Sequence, residues 1–515
     1  MKTIAGLGKL IGILVSLHSV SYAQSFVELA NTFSRTLPAG SARMQAMGGS
    51  QTALGGDYSL ALSNPAGLGL YNRSEVALSL GYQSFQTQGR YFSGDLISDN
   101  NKDSKSQLNL PGISLIFSSP KNGQHGFLQG TFGISYSRLN DFNRNIQYSG
   151  TNPNNSLIDF FIERANGRES TQFSEPTSQG GGELFNTLTE MAYNNYLIGE
   201  STILNPANDP TQYFTDIDGI PLQSETWETR GAQNQWTFSY GANLNDKLFL
   251  GASLGFASIR YESTKRFRED FDSSQPLFFY EAEESIEVSG NGVNLNVGFI
   301  YRPLDALQLG MSYITPTSYE LSDSYTASII SRWDNFEYTP GTILSQESSS
   351  IDPAVIEEYR LKTPGKLNLG AAFFVGTAGV ITADVERIDY SGARYKPLGG
   401  GLPFDNENDA IKEVYQDVFN VRVGTEFRHQ KYRFRGGYTY MPDPFVARQN
   451  NQRQDMQAFS AGLGYREKNF FIDVAAVYRC SRSSYRPYSV DRPDSPLLTF
   501  RQTATSFMVT LGFPF

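Results

Sequence analysis

The stretch Leu248-Phe249-Leu250-Gly251-Ala252-Ser253-Leu254-Gly255-Phe256 decides the fold. Leu248, Leu250, Ala252, Leu254 and Phe256 share one side of an extended chain, and Gly251, Ser253 and Gly255 share the other. Strand side chains point alternately to two faces. Large apolar groups on one face, with small or polar groups on the other, suit a wall with lipid outside and a lumen inside. The pattern recurs. Val293, Leu295, Val297, Phe299 and Tyr301 alternate with Asn294, Asn296 and Gly298. Tyr432, Phe434, Tyr438 and Tyr440 alternate with Arg433, Arg435, Gly437 and Thr439. Near the end, Phe507, Val509, Leu511, Phe513 and Phe515 alternate with Ser506, Thr510 and Gly512. A half-buried sheet in a soluble protein would show similar alternation, and the connections weigh against it.

Those connections switch strictly between short and long. Short ones fall at 119–126, 243–247, 302–305, 376–378, 428–431 and 466–469. Long polar ones fall at 87–106, 143–230, 262–284, 315–357, 391–415, 442–453 and 481–502. An outer-membrane barrel has short periplasmic turns and long outer loops. The expected class is therefore all-β: a 14-stranded antiparallel transmembrane β-barrel over 74–515, with extracellular loops of which 143–230 is longest. Both termini are expected on the periplasmic side.

Composition agrees. Aromatics make up 13 %, with 29 Tyr and 36 Phe against 3 Trp, which supplies strand propensity and interfacial girdles. Charged residues are 18 %, and the mature chain has no apolar run long enough for a spanning helix. Residues 1–23 read as a signal peptide: Lys2 and Lys9 are basic, 10–17 is apolar, and Ser21-Tyr22-Ala23 is a cleavage site before Gln24. Loss of Lys2 and Lys9 takes the formal net charge from −10 to −12, which argues against nucleic acid. Cys480 is the only cysteine, so no internal disulfide forms.

Residues 24–73 precede the first strand and do not alternate. They are rich in small residues, including Gly48-Gly49, Ala53-Leu54-Gly55-Gly56-Asp57 and Asn64-Pro65-Ala66-Gly67-Leu68. Small residues let backbone pack closely, and the lumen is the natural place for this segment. Ser41-Ala42-Arg43, Ala46-Met47-Gly48-Gly49, Ala53-Leu54, Asp57 and Asn64-Pro65-Ala66-Gly67-Leu68, in that order, resemble the N-terminal hatch of FadL-type long-chain fatty acid transporters (the OmpP1/FadL/TodX-like family). The resemblance reaches the strand count and the terminal Phe515. Some longer-looped relatives are labelled hemin receptors.

The resemblance implies passive uptake of hydrophobic small molecules. A ligand docks on the outer loops and enters an apolar pocket in the upper lumen. The hatch then shifts, and the ligand leaves through a gap in the wall beside a kinked third strand. That strand is expected near 127–142, with Gly130 and Gly133 as weak points. Gly48, Gly49, Asn64, Pro65 and Ala66 are the expected hatch and gating residues. The resemblance also implies a Gram-negative outer membrane, with contacts to outer membrane lipid and to barrel-assembly machinery. A monomer is expected.

Catalysis has few candidates. The mature chain has two histidines, His125 and His429, both in expected periplasmic turns. That leaves a Ser/His/Asp arrangement almost no base and places heme ligation at the wrong end. No H-E-x-x-H, C-x-x-C or phosphate-binding loop is present, so neither enzyme, metal nor cofactor is expected. Asp384, Glu386, Arg422, Glu426, Arg428, Arg433, Arg435, Asp473 and Arg479 have lumen parity. They suit a salt-bridged layer anchoring the hatch, while Arg433 or Arg435 could hold a ligand carboxylate. In the longest loop, 157–165 and 183–198 read as helical, and Leu184, Phe185, Leu188 and Met191 could form an apolar landing groove or pack a lid. An interaction protein, such as a barrel subunit of type IX secretion, is the competing reading.

Overall fold

The computed structural model describes residues 26–93, 96–97, 101–121, 126–176, 182–399, 403–448, 453–491 and 495–515. The signal segment, Ala23, Gln24 and His125 lie outside the described residues.

Fourteen antiparallel strands close on themselves. They are β1 (Glu75–Ser93), β2 (Asn101–Ser118), β3 (Phe127–Asp141, resuming as Arg144–Thr151), β4 (Leu222–Leu244), β5 (Leu248–Asp270) and β6 (Leu277–Leu304). Next come β7 (Leu307–Ile314, resuming as Ser318–Thr339), β8 (Val355–Lys362, resuming as Lys366–Val375) and β9 (Gly379–Asp389, resuming as Arg394–Pro397). The circuit ends with β10 (Asp417–His429), β11 (Tyr432–Met441), β12 (Met456–Arg466), β13 (Phe471–Tyr485) and β14 (Leu497–Pro514). Closure joins β1 to β14 from Glu75↔Pro514 up to Phe92↔Leu497. Closure pairs the wall backbone without water, which a membrane requires, everywhere but along the upper β2–β3 seam. No described helix is long and apolar enough to cross a membrane.

Strand parity follows lipid. Leu250, Leu254 and Phe256 point outward with 43 %, 40 % and 45 % exposure, while Ser253 points inward at 4 %. The strands run further than the alternation indicated. β5 reaches Asp270 and β6 begins at Leu277, inside what reads as the loop 262–284. Above the membrane both wall faces meet polar surroundings, so the apolar marker stops while the ladder continues. Cross-strand pairs such as Arg266–Glu283 clothe this extension.

Residues 26–71 run inside the barrel from top to bottom. Helix α1 (Phe26–Ser34) stands in the upper lumen, followed by α2 (Ala42–Ala46), α3 (Leu60–Ser63) and a 3-10 turn, Pro65–Leu70. The Phe26 carbonyl accepts the Tyr395 hydroxyl at 2.8 Å, and the Val27 carbonyl accepts that of Tyr415 at 2.9 Å. Both tyrosines lie at the outer ends of wall strands, so the described segment begins in the upper lumen, where Phe26, Leu29 and Phe33 find an aromatic chamber. The N-terminal residues before Phe26, whose side of the membrane was expected to be periplasmic, lie outside the described residues. Phe515 stays at the lower rim, its N–H donating to the Ser74 carbonyl at 2.9 Å.

Outside the membrane, α4 (Leu157–Ala165), α5 (Leu188–Asn194) and the tops of β5, β6 and β7 enclose a separate apolar core that includes Phe161, Leu184, Met191, Tyr280 and Trp333. A short strand, Thr342–Ser350, folds back on β7. Ser156 caps α4 in a reciprocal capping box with Asp159. The helix read over 183–198 is shorter here, because Asn186 at φ 57 breaks it before Thr187 caps α5. Helix α6 (Asp405–Val414) covers the rim beside α1.

Candidate functional site

The lower lumen is closed by backbone-to-backbone contact. Wall glycines form a belt facing the hatch. A Cβ on Gly251 would stand 2.2 Å from the Ala66 nitrogen, on Gly298 2.3 Å from Asn64 Oδ1, and on Gly310 2.2 Å from the Thr52 carbonyl oxygen. Further round the wall, a Cβ on Gly424 would meet the Met47 carbonyl at 2.5 Å, and on Gly437 the Gly48 nitrogen at 2.2 Å. Only hydrogen fits at these positions, so the hatch docks on a broad arc of the wall.

Four of the five expected hatch residues, Gly48, Asn64, Pro65 and Ala66, make such contacts, while a Cβ on Gly49 would meet Pro38 of the hatch itself at 2.4 Å. Asn64 is fully buried; its Nδ2 donates to Thr52 O at 2.7 Å and to Phe299 O of β6 at 3.1 Å. Its Oδ1 accepts the Ala66 N–H at 3.2 Å, which caps the turn that Pro65 begins. The Gly48 N–H donates to Ser460 Oγ at 3.1 Å, and its carbonyl accepts Thr439 Oγ1 at 2.7 Å. Gly48 and Gly49 have φ of 66° and 71°, the left-handed region that favours glycine. Asn64–Ala66 thus hold the β4–β7 side, and Gly48 holds the β10–β12 side.

Charge anchors the hatch as well. Arg43 Nε reaches Glu426 at 3.2 Å, and its Nη1 donates to the carbonyls of Gly55 and Gly56 at 3.1 Å each. Glu426 also pairs with Arg435 at 2.8 Å and Arg428 at 2.9 Å, while Arg435 reaches Asp473 at 2.7 Å. Asp384 accepts the Gln51 and Thr52 N–H groups at 2.7 and 2.8 Å. Arg422 pairs with Glu386 at 2.6 Å. Arg435 is consumed by this network. Arg433 lies at the lower rim, its Nη1 donating to Gln430 O and Tyr432 O at 2.8 Å each. Asp57 stays within the hatch, bonded to Ser41 and Ser59.

The upper lumen holds α1 among aromatic rings. Phe26 meets Tyr359, Tyr395 and Phe404 edge-on at 5.3, 5.3 and 5.1 Å, and Phe33 meets Phe142 and Tyr261 at 5.8 and 5.7 Å. The place where an apolar ligand pocket was implied is occupied by the chain's own helix. Above it, burial raises the carboxyls of Glu225, Glu269 and Glu284 out of the usual range. Asp323 is pushed up to about 7, first by burial and then by Glu357.

The wall itself is interrupted at one seam. β2 pairs with β3 only from Ser118↔Thr131 to Gly112↔Ser137. Higher up, β2 follows β1 alone as far as Asn101, while β3 follows β4. The break sits at Pro111, which has no N–H to give β3. It coincides with a bulge between Ser79 and Gly81 on β1 and another between Arg138 and Asn140 on β3. The two edges are bridged again by Gln107 and Asp141 side chains. Leu108, beside the window, is 83 % exposed. Behind it lies a lumen cavity of about 90 Å³ lined by Asn109, Pro111, Arg138, Leu139 and Met508, among others. The expected weak points are regular instead: Gly130 pairs with Ala242 and Gly133 with Ser239.

Sequence reasoning missed the residues that join the hatch to this window. The Leu37 N–H donates to the Leu139 carbonyl at 3.3 Å, and Asn140 Nδ2 to the Arg35 carbonyl at 3.2 Å. One readable signal was the apolar parity, which slips from Leu108 and Leu110 to Ile113, Leu115 and Phe117 across Pro111. In the outer cap, Leu184 and Met191 are buried in its core, and Phe185 and Leu188 are half-buried. His429 is exposed in the lower turn.

Residues 231–515, more than half of the chain, match the model of the family described as outer membrane protein transport protein (OMPP1/FadL/TodX). The chain belongs to this family. Its members are β-barrels of the Gram-negative outer membrane, and the closed barrel here has that architecture. The crystal structure of a Pseudomonas aeruginosa FadL homologue aligns with a TM-score of 0.53 at 12 % identity, covering 93 % of this chain and 99 % of that one. The P. putida toluene transporter TodX aligns at 0.48 with 15 % identity, covering 93 % and 99 %. No curated protein sequence matches the chain.

Proposed function

We propose that this outer-membrane channel takes up hydrophobic small molecules, of the size of long-chain fatty acids or monoaromatic hydrocarbons, and releases them sideways through the β2–β3 window. The observation that carries this reading is the coincidence of three features at one place. They are the missing ladder above Gly112↔Ser137, the cavity behind it, and the hatch bonds to Leu139 and Asn140 on its edge. Below the cavity the glycine belt leaves no axial path, so a lateral exit needs the least rearrangement. A ligand arriving from the outer cap meets the aromatic chamber. When α1 gives way, that chamber becomes its pocket. The movement passes along 34–38 to Leu139, and the window edge is freed.

Uptake measurements test this directly. Cells lacking their own transporter and expressing this chain should accumulate labelled oleate or toluene faster than cells with the empty vector. Asn64→Ala with Pro65→Ala should leave the barrel folded and change the rate. Wild-type uptake in that double variant, at equal surface expression, would leave the hatch as a static plug. Equal accumulation with and without the protein, for both compounds, would overturn the transport reading.

A further inference from the structure

Two sectors of the outer wall carry charge above the apolar band, and they carry it differently. On β4–β6 the outward cations meet acids. Arg266 stands 2.5 Å from Glu283, Arg230 3.0 Å from Glu228, and Arg260 3.2 Å from Glu262 and 3.4 Å from Glu287. On the sector formed by β2, β1, β14 and β13, Lys102 lies opposite Gln88, Gln88 opposite Arg501, and Arg501 opposite Arg482. Three cations thus form one row across four neighbouring strands. Strands lie about 4.8 Å apart, so the row spans about 15 Å.

All three are exposed, and Arg90 faces the same way one step higher on β1. No salt bridge engages Lys102, Arg482 or Arg501 among the described residues; Arg501 Nε donates to Cys480 Sγ at 3.2 Å. The nearest acid by register is Asp455, one place beyond the Met456↔Ser481 pair, and it is not ion-paired with Arg482. Two like charges directly opposite on neighbouring strands, as in Arg482↔Arg501, cost stability unless an anion lies between them.

The vertical order on this sector is also informative. Phe513, Val509 and Phe507 face lipid at 54 %, 39 % and 53 % exposure. Thr505 and Thr503 follow on β14, with Gln86 on β1 and Ser104 and Ser106 on β2 at similar height. Then come the cations. From Phe507 to Arg501 the tilted strand climbs about 15 Å along the membrane normal. Acyl chains, sugar hydroxyls and phosphates are stacked in that same order in a phosphorylated glycolipid of the outer leaflet.

We infer that this sector is a docking surface for the phosphorylated sugar headgroup of an outer-leaflet glycolipid, with Lys102, Arg482 and Arg501 holding phosphate. Guanidinium forks match phosphate oxygens in geometry and charge. The hydroxyl and amide belt below them offers partners to sugar. Because β2 is also one edge of the window, the bound glycolipid packs beside the opening.

The test is titration of the detergent-solubilised protein with diphosphoryl lipid A and with its dephosphorylated form, read by native mass spectrometry. Wild-type protein should bind the diphosphoryl form about tenfold more tightly. The triple variant Lys102→Gln, Arg482→Gln, Arg501→Gln should lose that preference, and Lys102→Arg, Arg482→Lys, Arg501→Lys should keep it. Arg230→Gln, Arg260→Gln, Arg266→Gln, on the ion-paired β4–β6 sector, should match wild type. Equal binding by wild type and the neutral triple overturns the inference, as does an equal loss in the β4–β6 triple. If the neutral triple fails to assemble, Arg501→Gln alone decides: a loss of about threefold supports the site, and unchanged affinity removes it.

Discussion

Two seams of one wall behave in opposite ways. β5 and β6 pair without a shift from Leu248↔Tyr301 at the bottom to Asp270↔Phe279 at the top. β2 and β3 share a ladder for only seven positions, Ser118↔Thr131 to Gly112↔Ser137. Both seams line the same lumen and face the same lipid, so the difference lies in the residues at the junction. The first offers Gly251, Ser253 and Gly255 inward and nothing that lacks an N–H. The second has Pro111 within β2 and a bulge on each side. A barrel of this kind confines its freedom to one seam and keeps the rest closed.

Locking the weak seam should have the largest effect on uptake. In a Cys480→Ser background, Asn109→Cys with Asn140→Cys, joined by a short bifunctional maleimide, should reduce hydrophobic uptake to the level of cells without the protein. The same reagent on Ser258→Cys with Asn291→Cys, a β5–β6 pair, should leave uptake unchanged. Equal inhibition at both seams would mean that the window is not the exit.

Disturbing the strong side should come next. Gly251→Val forces a branched side chain into the Ala66 backbone. Overpacking of this kind costs about 1–3 kcal/mol, and the urea midpoint of the reconstituted barrel should fall accordingly. Gly436→Ala, where the nearest atom would be 3.8 Å away, should be neutral. A tolerated Gly251→Val would show that the hatch is not held by the belt.

A smaller effect is expected from Asn140→Ala, which removes the side-chain bond to Arg35. Such a bond contributes about 0.5–1.5 kcal/mol. Hydrogen exchange should rise in 35–39 and at Leu139 while the rest of the wall is unchanged. If exchange rises equally across β5–β6, the hatch is not coupled to the window in particular.

The smallest effect on uptake should come from Asp323, above the membrane on the continuous side. Its carboxyl is pushed up to about 7 by burial, against an ordinary value of about 3.9. The folded state therefore holds the proton more tightly than the unfolded one. Its contribution is present below about pH 4 and fades as pH rises through about 7. Protection of the β7 top should fall from pH 5 to pH 8 in the wild type and stay flat in Asp323→Asn. Identical profiles for both would assign the dependence elsewhere.

The wall was legible because lipid writes on it. Residues such as Leu250, Val297 and Phe434 must be apolar wherever they meet hydrocarbon, and the period of two exposes them. Above the membrane that requirement ends, so 262–270 reads as loop although it is strand. The hatch was legible as a run of small residues, and its partner glycines show lumen parity. That Gly251 meets Ala66 while Gly437 meets Gly48 depends on how the segment folds across the lumen, which no local pattern specifies. The charge layer was readable as a cluster, but the pairing of Arg43 with Glu426 was not. The window was marked in the sequence by Pro111 and the parity slip. The Gly130 and Gly133 reading overlooked it because glycine inside a strand is a commoner sign of weakness.

The direction of the N-terminal segment constrains how the molecule is made. Phe26 sits at the outer mouth and Tyr71 near the lower rim, so the wall encircles a thread that already spans its bore. The thread precedes the wall in synthesis, and β1 meets β14 only when the last strand is in place. The segment must therefore be laid across the nascent sheet before the two ends zip together, because α1 with its bulky aromatic flanks could not be pulled through the finished lower bore. Assembly and plugging are one event.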